Sequence, residues 1–218
     1  MSSNRDTTDP DNLVKQAEPL GIKLAPAAAE EVLAFLDAML VTNQQINLTA
    51  VRDQDAAVVL HALDSLAFQL ADLRPLRALD LGTGNGFPGV GVAALFPQAQ
   101  VTLMDKTGKK IRAIRGCLET AGMERVEAIQ MDAKQAPGLE RELRQGFDVC
   151  TARAVARPEV LAELAEPLVR AGGHLAVWLE EHAAVAEQMR SFRLHRQIRY
   201  QLPAPAERAR QLVVWERR

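Results

Sequence analysis

An α/β fold on a mostly parallel sheet is predicted by three observations. Short apolar runs alternate with helical stretches from Arg77 onward, a glycine-rich turn follows the first of those runs, and acids close the next two. Two final apolar runs, Leu194–Leu202 and Gln211–Glu216, have no helix between them and read as an antiparallel hairpin at the sheet edge. Three segments follow. Residues 1–12 read as a flexible tail, 13–74 as a helical N-terminal cap, and 75–218 as the alternating unit.

In the cap, Pro26 suits a first helical turn, and Val32, Phe35, Leu36, Met39 and Leu40 recur at helical spacing. A second helix follows Asp53, with Val59, Leu63, Leu66 and Leu70 on one stripe. The alternating unit opens with the strand Arg77–Leu81, the glycine-rich turn and a helix over Val90–Leu95. Then come a strand over Ala99–Met104, a helix over Lys109–Ala121, a strand over Val126–Met131 and a helix over Gly138–Gln145. The strand Phe147–Thr151 is followed by a helix over Pro158–Val169, stopped by Gly172-Gly173. A strand over His174–Leu179 and a helix over Glu181–Ser191 precede the hairpin.

The chain has 218 residues, enough for one generous domain with a real core. Hydrophobic residues at 48% and charged residues at 25% exclude a disordered or fibrous chain. No apolar run is long enough to span a bilayer, and Met1–Asn12 lacks the apolar centre of a secretory signal. Cys117 and Cys150 have neither CxxC spacing nor paired histidines, so no disulfide framework and no metal site are expected, and a reducing cytoplasm is. The net charge of −2 hides a dipole: residues 1–70 carry four basic and ten acidic residues, whereas 190–218 carry eight arginines and two glutamates. Lys106, Lys109, Lys110, Arg112 and Arg115 form a second basic cluster. A chain of this kind can hold a polyanion on one side without being basic overall.

The sharpest signal is Asp80-Leu-Gly82-Thr-Gly84-Asn-Gly86-Phe-Pro-Gly89, between a predicted strand and a predicted helix. Glycines let the backbone turn tightly and approach a ligand closely, and in an open α/β sheet that position is where nucleotide-like ligands sit. The dinucleotide fingerprint puts a third glycine where this chain has Phe87. Asp80 would repel a pyrophosphate but suit the ammonium of an amino acid, directly or through water. Asp105, 21 residues after Gly84, is spaced to accept from both ribose hydroxyls, and Asp132 closes the following strand near the expected adenine edge. The joint order points to S-adenosyl-L-methionine rather than a nicotinamide dinucleotide.

The chain from about residue 13 resembles the bacterial small-ribosomal-subunit RNA guanine-N7 methyltransferases (GidB or RsmG). The shared stretches are Asn47-Leu-Thr-Ala-Val-Arg-Asp53, His61-Ala-Leu-Asp-Ser65, Leu79–Gly89, Leu103–Arg112 and Phe147–Ala156. Generic methyltransferases lack the combination of Phe-Pro-Gly after the turn and the late Arg-Ala-Val-Ala. The resemblance implies a Rossmann-like class I methyltransferase with a seven-stranded sheet. It implies methylation of guanine N7 in 16S ribosomal RNA of the small ribosomal subunit, in the cytoplasm. By matching position, Gly82 and Phe87, then Asp105, Lys106 and Thr107, then Ala133 and Lys134, and finally Arg153 would meet the cofactor. Two departures stand out. Lys134 replaces a frequent glutamate, and Leu179-Glu180 replaces a frequent Lys-Gly.

Attack by N7 uses a lone pair that carries no proton, so no general base is expected and catalysis reduces to alignment and electrostatics. Arg153 is the one singleton read as a candidate for the chemistry. Lys109, Lys110, Arg112 and Arg115, at the start of the helix after Asp105, are the candidates for RNA backbone contacts. His61, Asp64 and Ser65 share a helix face, but Ser65 lacks a nucleophile elbow, so a capping or packing role is expected. Cys117, Cys150, Trp178 and Trp215 read as core. The rivals are a non-catalytic, cofactor- or RNA-binding ribosome-assembly factor and, more remotely, a nicotinamide-dependent oxidoreductase.

Overall fold

A computed structural model describes residues 9–139 and 141–218. Its strands are β1 (Arg77–Leu81), β2 (Gln100–Asp105), β3 (Val126–Gln130), β4 (Phe147–Arg153), β5 (Val169–Glu180), β6 (Gln188–Met189), β7 (Phe192–Gln201) and β8 (Ala209–Arg217). They form one sheet in the order β3-β2-β1-β4-β5-β8-β7-β6. β1 to β5 run parallel, and β8, β7 and β6 continue the sheet antiparallel. The α/β class, parallel body and antiparallel C-terminal hairpin are those the sequence predicts. The eighth strand is the two-residue β6, which adds an edge to the expected seven.

Four helices serve the sheet: α5 (Gly89–Leu95), α6 (Gly108–Thr120), α7 (Ala136–Leu139) and α8 (Pro158–Ala165). Before them lies the cap, with α1 (Pro10–Ala17), α2 (Pro26–Asn43), α3 (Gln54–Ala57) and α4 (Asp64–Leu66). A π-helical stretch over Val58–Leu63 joins α3 to α4, and a 3₁₀ turn over Ala67–Ala71 ends the run. Residues 10–12, expected in the tail, are helical. Asp9 accepts from the Asp11 N–H, and Pro10 opens the first turn. Residues 1–8 of that expected tail lie outside the described residues.

Alternation along each strand sorts the core onto two sheet faces. On one face Ala78, Val101, Val149, Ala176 and Trp178 pack with α5, α6 and the cap in a single apolar cluster. On the other, Leu79, Leu81, Cys150, Val177 and Trp215 pack with α8. The cap is therefore part of the main core. It packs tightly at Gly91 on α5, where an added Cβ would lie 2.1 Å from Ser65 Oγ and 2.6 Å from Ser65 Cβ. Gly91→Ala should destabilise the fold by about 1–3 kcal/mol through overpacking. Adding Ser65→Gly should restore most of that, as read by urea unfolding of the single and double variants.

Three expected helices are corrected. Glu181–Ser191 is not helical, although its composition favours a helix. Its carbonyls are claimed by β8 instead: Gln211 Nε2 donates to Ala183 O, as well as to the preceding Glu180 O, and Trp215 Nε1 donates to Ala186 O. Tertiary hydrogen bonds outweigh a few tenths of a kcal/mol of propensity per residue. The helix predicted over Pro158–Val169 ends at Ala165, because Pro167 has no N–H to continue it and Val169 already pairs with Phe147. The helix expected over Gly138–Gln145 is α7 plus a 3₁₀ turn over Arg141–Leu143, with Glu140 outside the described residues.

Candidate functional site

The carboxyl ends of β1 to β5 and the start of β8 surround a cleft of about 1200 Å³. The glycine-rich turn forms its floor. Thr83 N–H reaches across to Met104 O at 2.9 Å, and Gly86 N–H closes back on Thr83 O at 3.0 Å. Gly82 (φ +69°) and Gly84 (φ +59°) adopt left-handed backbone, the region that favours glycine. A Cβ on Gly84 would meet only Gly82 O, at 3.7 Å, so the backbone there lies open to a ligand.

Asp105, at the end of β2, accepts from Gly84 N–H at 3.1 Å and from Thr107 N–H at 2.8 Å, one on each carboxylate oxygen. A carboxylate oxygen carries two acceptor sites. Each therefore keeps one for a diol, which fits a ribose. After β3, Asp132 holds its turn by accepting from Lys134 N–H at 3.0 Å, and Ala133 lies beside it on the cleft wall. Gly82, Gly84, Phe87, Asp105, Lys106, Thr107, Ala133, Lys134 and Arg153 all line this one cleft.

Asp80 does not. Its place on β1 turns its side chain to the face covered by α5, where a Cβ on Gly89 would lie 2.7 Å from Asp80 Cβ. It is 1% exposed, and Thr151 Oγ1 donates to its Oδ1 at 2.8 Å. Burial pushes its pKa up to about 6, against the opposing pull of its hydrogen-bond donors and Arg153. A carboxyl raised from 3.8 to about 6 on folding binds more protons in the folded state. Its contribution to stability is thus full below pH 4 and lost as pH climbs through 6. Asp80→Asn should accordingly be the more stable protein above pH 7, with the gap closing by pH 4, in thermal melts across that range.

Arg153 reaches the cleft from the end of β4, but its guanidinium is engaged by the cap. Nη1 donates to Leu60 O at 2.8 Å and to Asp64 Oδ2 at 2.9 Å, and Nη2 to His61 Nδ1 at 3.3 Å. Leu60 lies in the π-helical stretch, a device frequent at functional sites. Asp64 is fully buried. Its Oδ1 accepts from Tyr200 Oη at 2.6 Å, and its backbone carbonyl from Trp178 Nε1 at 2.8 Å. Because Arg153 can only donate, His61 Nδ1 accepts and Nε2 carries the hydrogen that bonds Thr49 Oγ1 at 3.0 Å. His61 stacks on Phe87, with ring centroids 6.0 Å apart, and burial plus the Arg153 charge lower its pKa to about 3. It stays neutral at physiological pH. Ser65 is turned away, donating to Ala62 O at 2.6 Å, so no hydrolase triad forms.

The basic cluster on α6 divides. Lys110 lines the cleft, Lys109 and Arg112 are exposed outside its lining, and Arg115 donates from Nε to Ala128 O at 2.8 Å. Seven residues into α6, Arg115 lies about 10 Å down the helix axis from the cleft end. Residues that the sequence reading missed also line the site: Thr83, Asn85, Val155, Arg157, Arg208 and Arg210. Arg210 is bound to Glu180 at 2.5 Å, so the departure at Glu180 carries a partner of its own. Among the described residues, no group of three or more His, Cys, Asp or Glu could hold a metal ion.

The family profile described as rRNA small subunit methyltransferase G (GidB) matches residues 28–213. The ribosomal RNA small subunit methyltransferase G of Caldanaerobacter subterraneus subsp. tengcongensis is 37% identical over 164 residues, 74% of this chain and 68% of that one. Its namesake from Streptococcus pyogenes serotype M4 is 34% identical over 181 residues, 82% of this chain and 76% of that one. Among solved structures, TrmN from Thermus thermophilus superposes with TM-score 0.54 at 21% identity, over 72% of this chain and 48% of that one. A variant of MtNAS in complex with S-adenosylmethionine reaches 0.58 at 16% identity, over 96% and 78%. At such identities the structural likeness is one of fold.

Proposed function

This chain belongs to the rRNA small subunit methyltransferase G (GidB) family, and from that premise we propose that it transfers the methyl group of S-adenosyl-L-methionine to N7 of a guanine in 16S ribosomal RNA. The observation that carries the cofactor half of this reading is the pairing of the open Gly84 backbone with Asp105, whose two oxygens each keep a free acceptor site. Gly82, Gly84 and Phe87 would hold the amino-acid end; Asp105, Lys106 and Thr107 the ribose; and Ala133 and Lys134 the adenine edge. Asp80 acts from beneath the turn as a buried charge rather than as a contact. S-adenosyl-L-methionine supplies an electrophilic methyl on a sulfonium.

The protein's own task is to bind, align and exclude water. His61, the histidine on the cleft wall, is neutral with both ring nitrogens engaged, so no base is poised there. Guanine N7 needs none. Arg153 serves as a positioning residue, tying the β4 end of the cleft to the cap. The target guanine has to be offered from a loop or lifted out of its stack, because the A-form major groove hides N7 from side chains. A ribosomal RNA substrate favours the cytoplasm as the place of action. Among the described residues no helix is long and apolar enough to cross a membrane.

The relatives' shared methyltransferase name favours neither a non-catalytic assembly factor nor an oxidoreductase. The test is mass spectrometry of nucleosides from 16S ribosomal RNA of cells with and without the gene. One N7-methylguanosine should disappear in the knockout and return on complementation. An unchanged nucleoside profile refutes the reading.

A further inference from the structure

The sheet order divides the cleft into two unlike halves. On one side of the glycine-rich turn lie the ends of β2 and β3, where the acids Asp105 and Asp132 are interleaved with Lys106, Lys110 and Lys134. On the other lie the end of β4 and the start of β8, with the arginines Arg153, Arg157, Arg208 and Arg210. Two of these four are neutralised within the protein, Arg153 by Asp64 and Arg210 by Glu180. Arg157 and Arg208 are exposed, and among the described residues neither has a carboxylate within ion-pair distance.

In the same half the segment after β4 presents Val155, 40% exposed, one of few large apolar side chains left in solvent among the described residues. Ala154 before it is held at φ +56°, a region L residues seldom adopt, and Pro158 after it opens α8. The Val155 methyl groups stand directly over the glycine-rich turn, 2.8 Å from where a Gly82 Cβ would be. An exposed apolar side chain in a cleft wall that also carries two guanidinium groups without carboxylate partners suits a base with its phosphates. Phosphate contacts fix register, and apolar contact seats an unstacked base.

We propose that Val155, Arg157 and Arg208 form the seat of the target nucleotide, with Val155 against the guanine and the two arginines on the adjoining phosphates of an unstacked RNA segment. This rests on the reading of the cleft as the RNA methylation site. It moves the principal RNA contacts from the α6 cluster, which borders the half holding Asp105 and Asp132, to the β4–β8 half.

The test uses the full-length protein, S-adenosyl-L-methionine and small ribosomal subunits or 16S ribosomal RNA from a strain lacking the gene, whichever the wild type methylates. Arg157→Gln with Arg208→Gln should raise KM for RNA at least about tenfold. The double variant should also flatten the dependence of log KM on log salt by about 1.4, the share of two single-strand phosphate contacts. Binding of the cofactor, by calorimetry, should stay within twofold. Val155→Asp should lower kcat far more than cofactor affinity. Unchanged KM and salt slope in the double variant overturn the proposal, as does a loss of cofactor affinity that matches the loss of activity. A wild-type protein that methylates neither substrate would overturn the function on which the proposal rests.

Discussion

Gly82→Asp is expected to leave a folded protein with no measurable affinity for S-adenosyl-L-methionine. Three effects converge at that position. The backbone is at φ +69°, where an L side chain is strained by an amount on the order of 1–2 kcal/mol. The new Cβ would stand 2.8 Å from both Val155 methyl groups, so the β4 segment would have to move. The new carboxylate would enter the floor of the cleft two residues from the buried Asp80. Strain of that size is within reach of an ordinary domain's stability, so the loss should appear in ligand binding rather than in folding. Isothermal calorimetry should show affinity lower by at least about a hundredfold, with circular dichroism unchanged. Wild-type affinity in this variant would mean that the glycine-rich turn does not touch the cofactor.

Asp64→Ala is expected to be among the most destabilising single changes in the protein. Asp64 has no exposed surface, and its two oxygens serve Arg153 and Tyr200, which come from β4 and β7. Removing it strands the Arg153 guanidinium, 11% exposed, without a counter-charge, and a buried Tyr200 hydroxyl without an acceptor. Breaking such a pair from one side costs about 3–5 kcal/mol. At this chain length that lowers Tm by roughly 6–20 °C. Pairing Asp64→Leu with Arg153→Met should recover the part of the loss that comes from the stranded charge, because well-packed apolar groups replace a buried ion pair with little penalty. The double variant should still be impaired in catalysis, having lost the tie to Leu60. Urea unfolding separates the two effects. A Tm for Asp64→Ala within a degree or two of wild type would show that the network holds nothing together.

The frame of the molecule was readable in the chain because it rests on local rules. Alternating apolar runs located all five parallel strands, and the glycine spacing located the turn that floors the cleft. Asp105 was readable from its distance to Gly84, and the structure joins the two by a hydrogen bond of 3.1 Å. What escaped depends on contacts between residues far apart in sequence. Tyr200 lies 136 residues from its partner Asp64, and no spacing rule links them. The helix expected over Glu181–Ser191 failed for the same reason, since side chains from β8 outcompete its internal hydrogen bonds. Asp80, expected from its place before the turn to meet the cofactor, lies outside the cleft lining. Its face of the strand follows from alternation, and counting from Ala78 would have turned it under α5 and out of the cleft. Pro167 is a stop signal that was present in the sequence and would have ended α8 early.

The shared apolar cluster that joins the cap to one sheet face bears on how this enzyme can be trimmed or recombined. A fragment beginning at residue 75 would carry every glycine and acid of the cofactor floor. It would also bare Ala78, Val101, Val149 and Ala176 to water and leave Arg153 facing empty solvent. The apparent boundary near residue 74 is thus no place to cut. Truncations aimed at a minimal catalyst, or chimaeras that graft a foreign recognition module there, will yield insoluble chains unless the helices before it travel with the sheet.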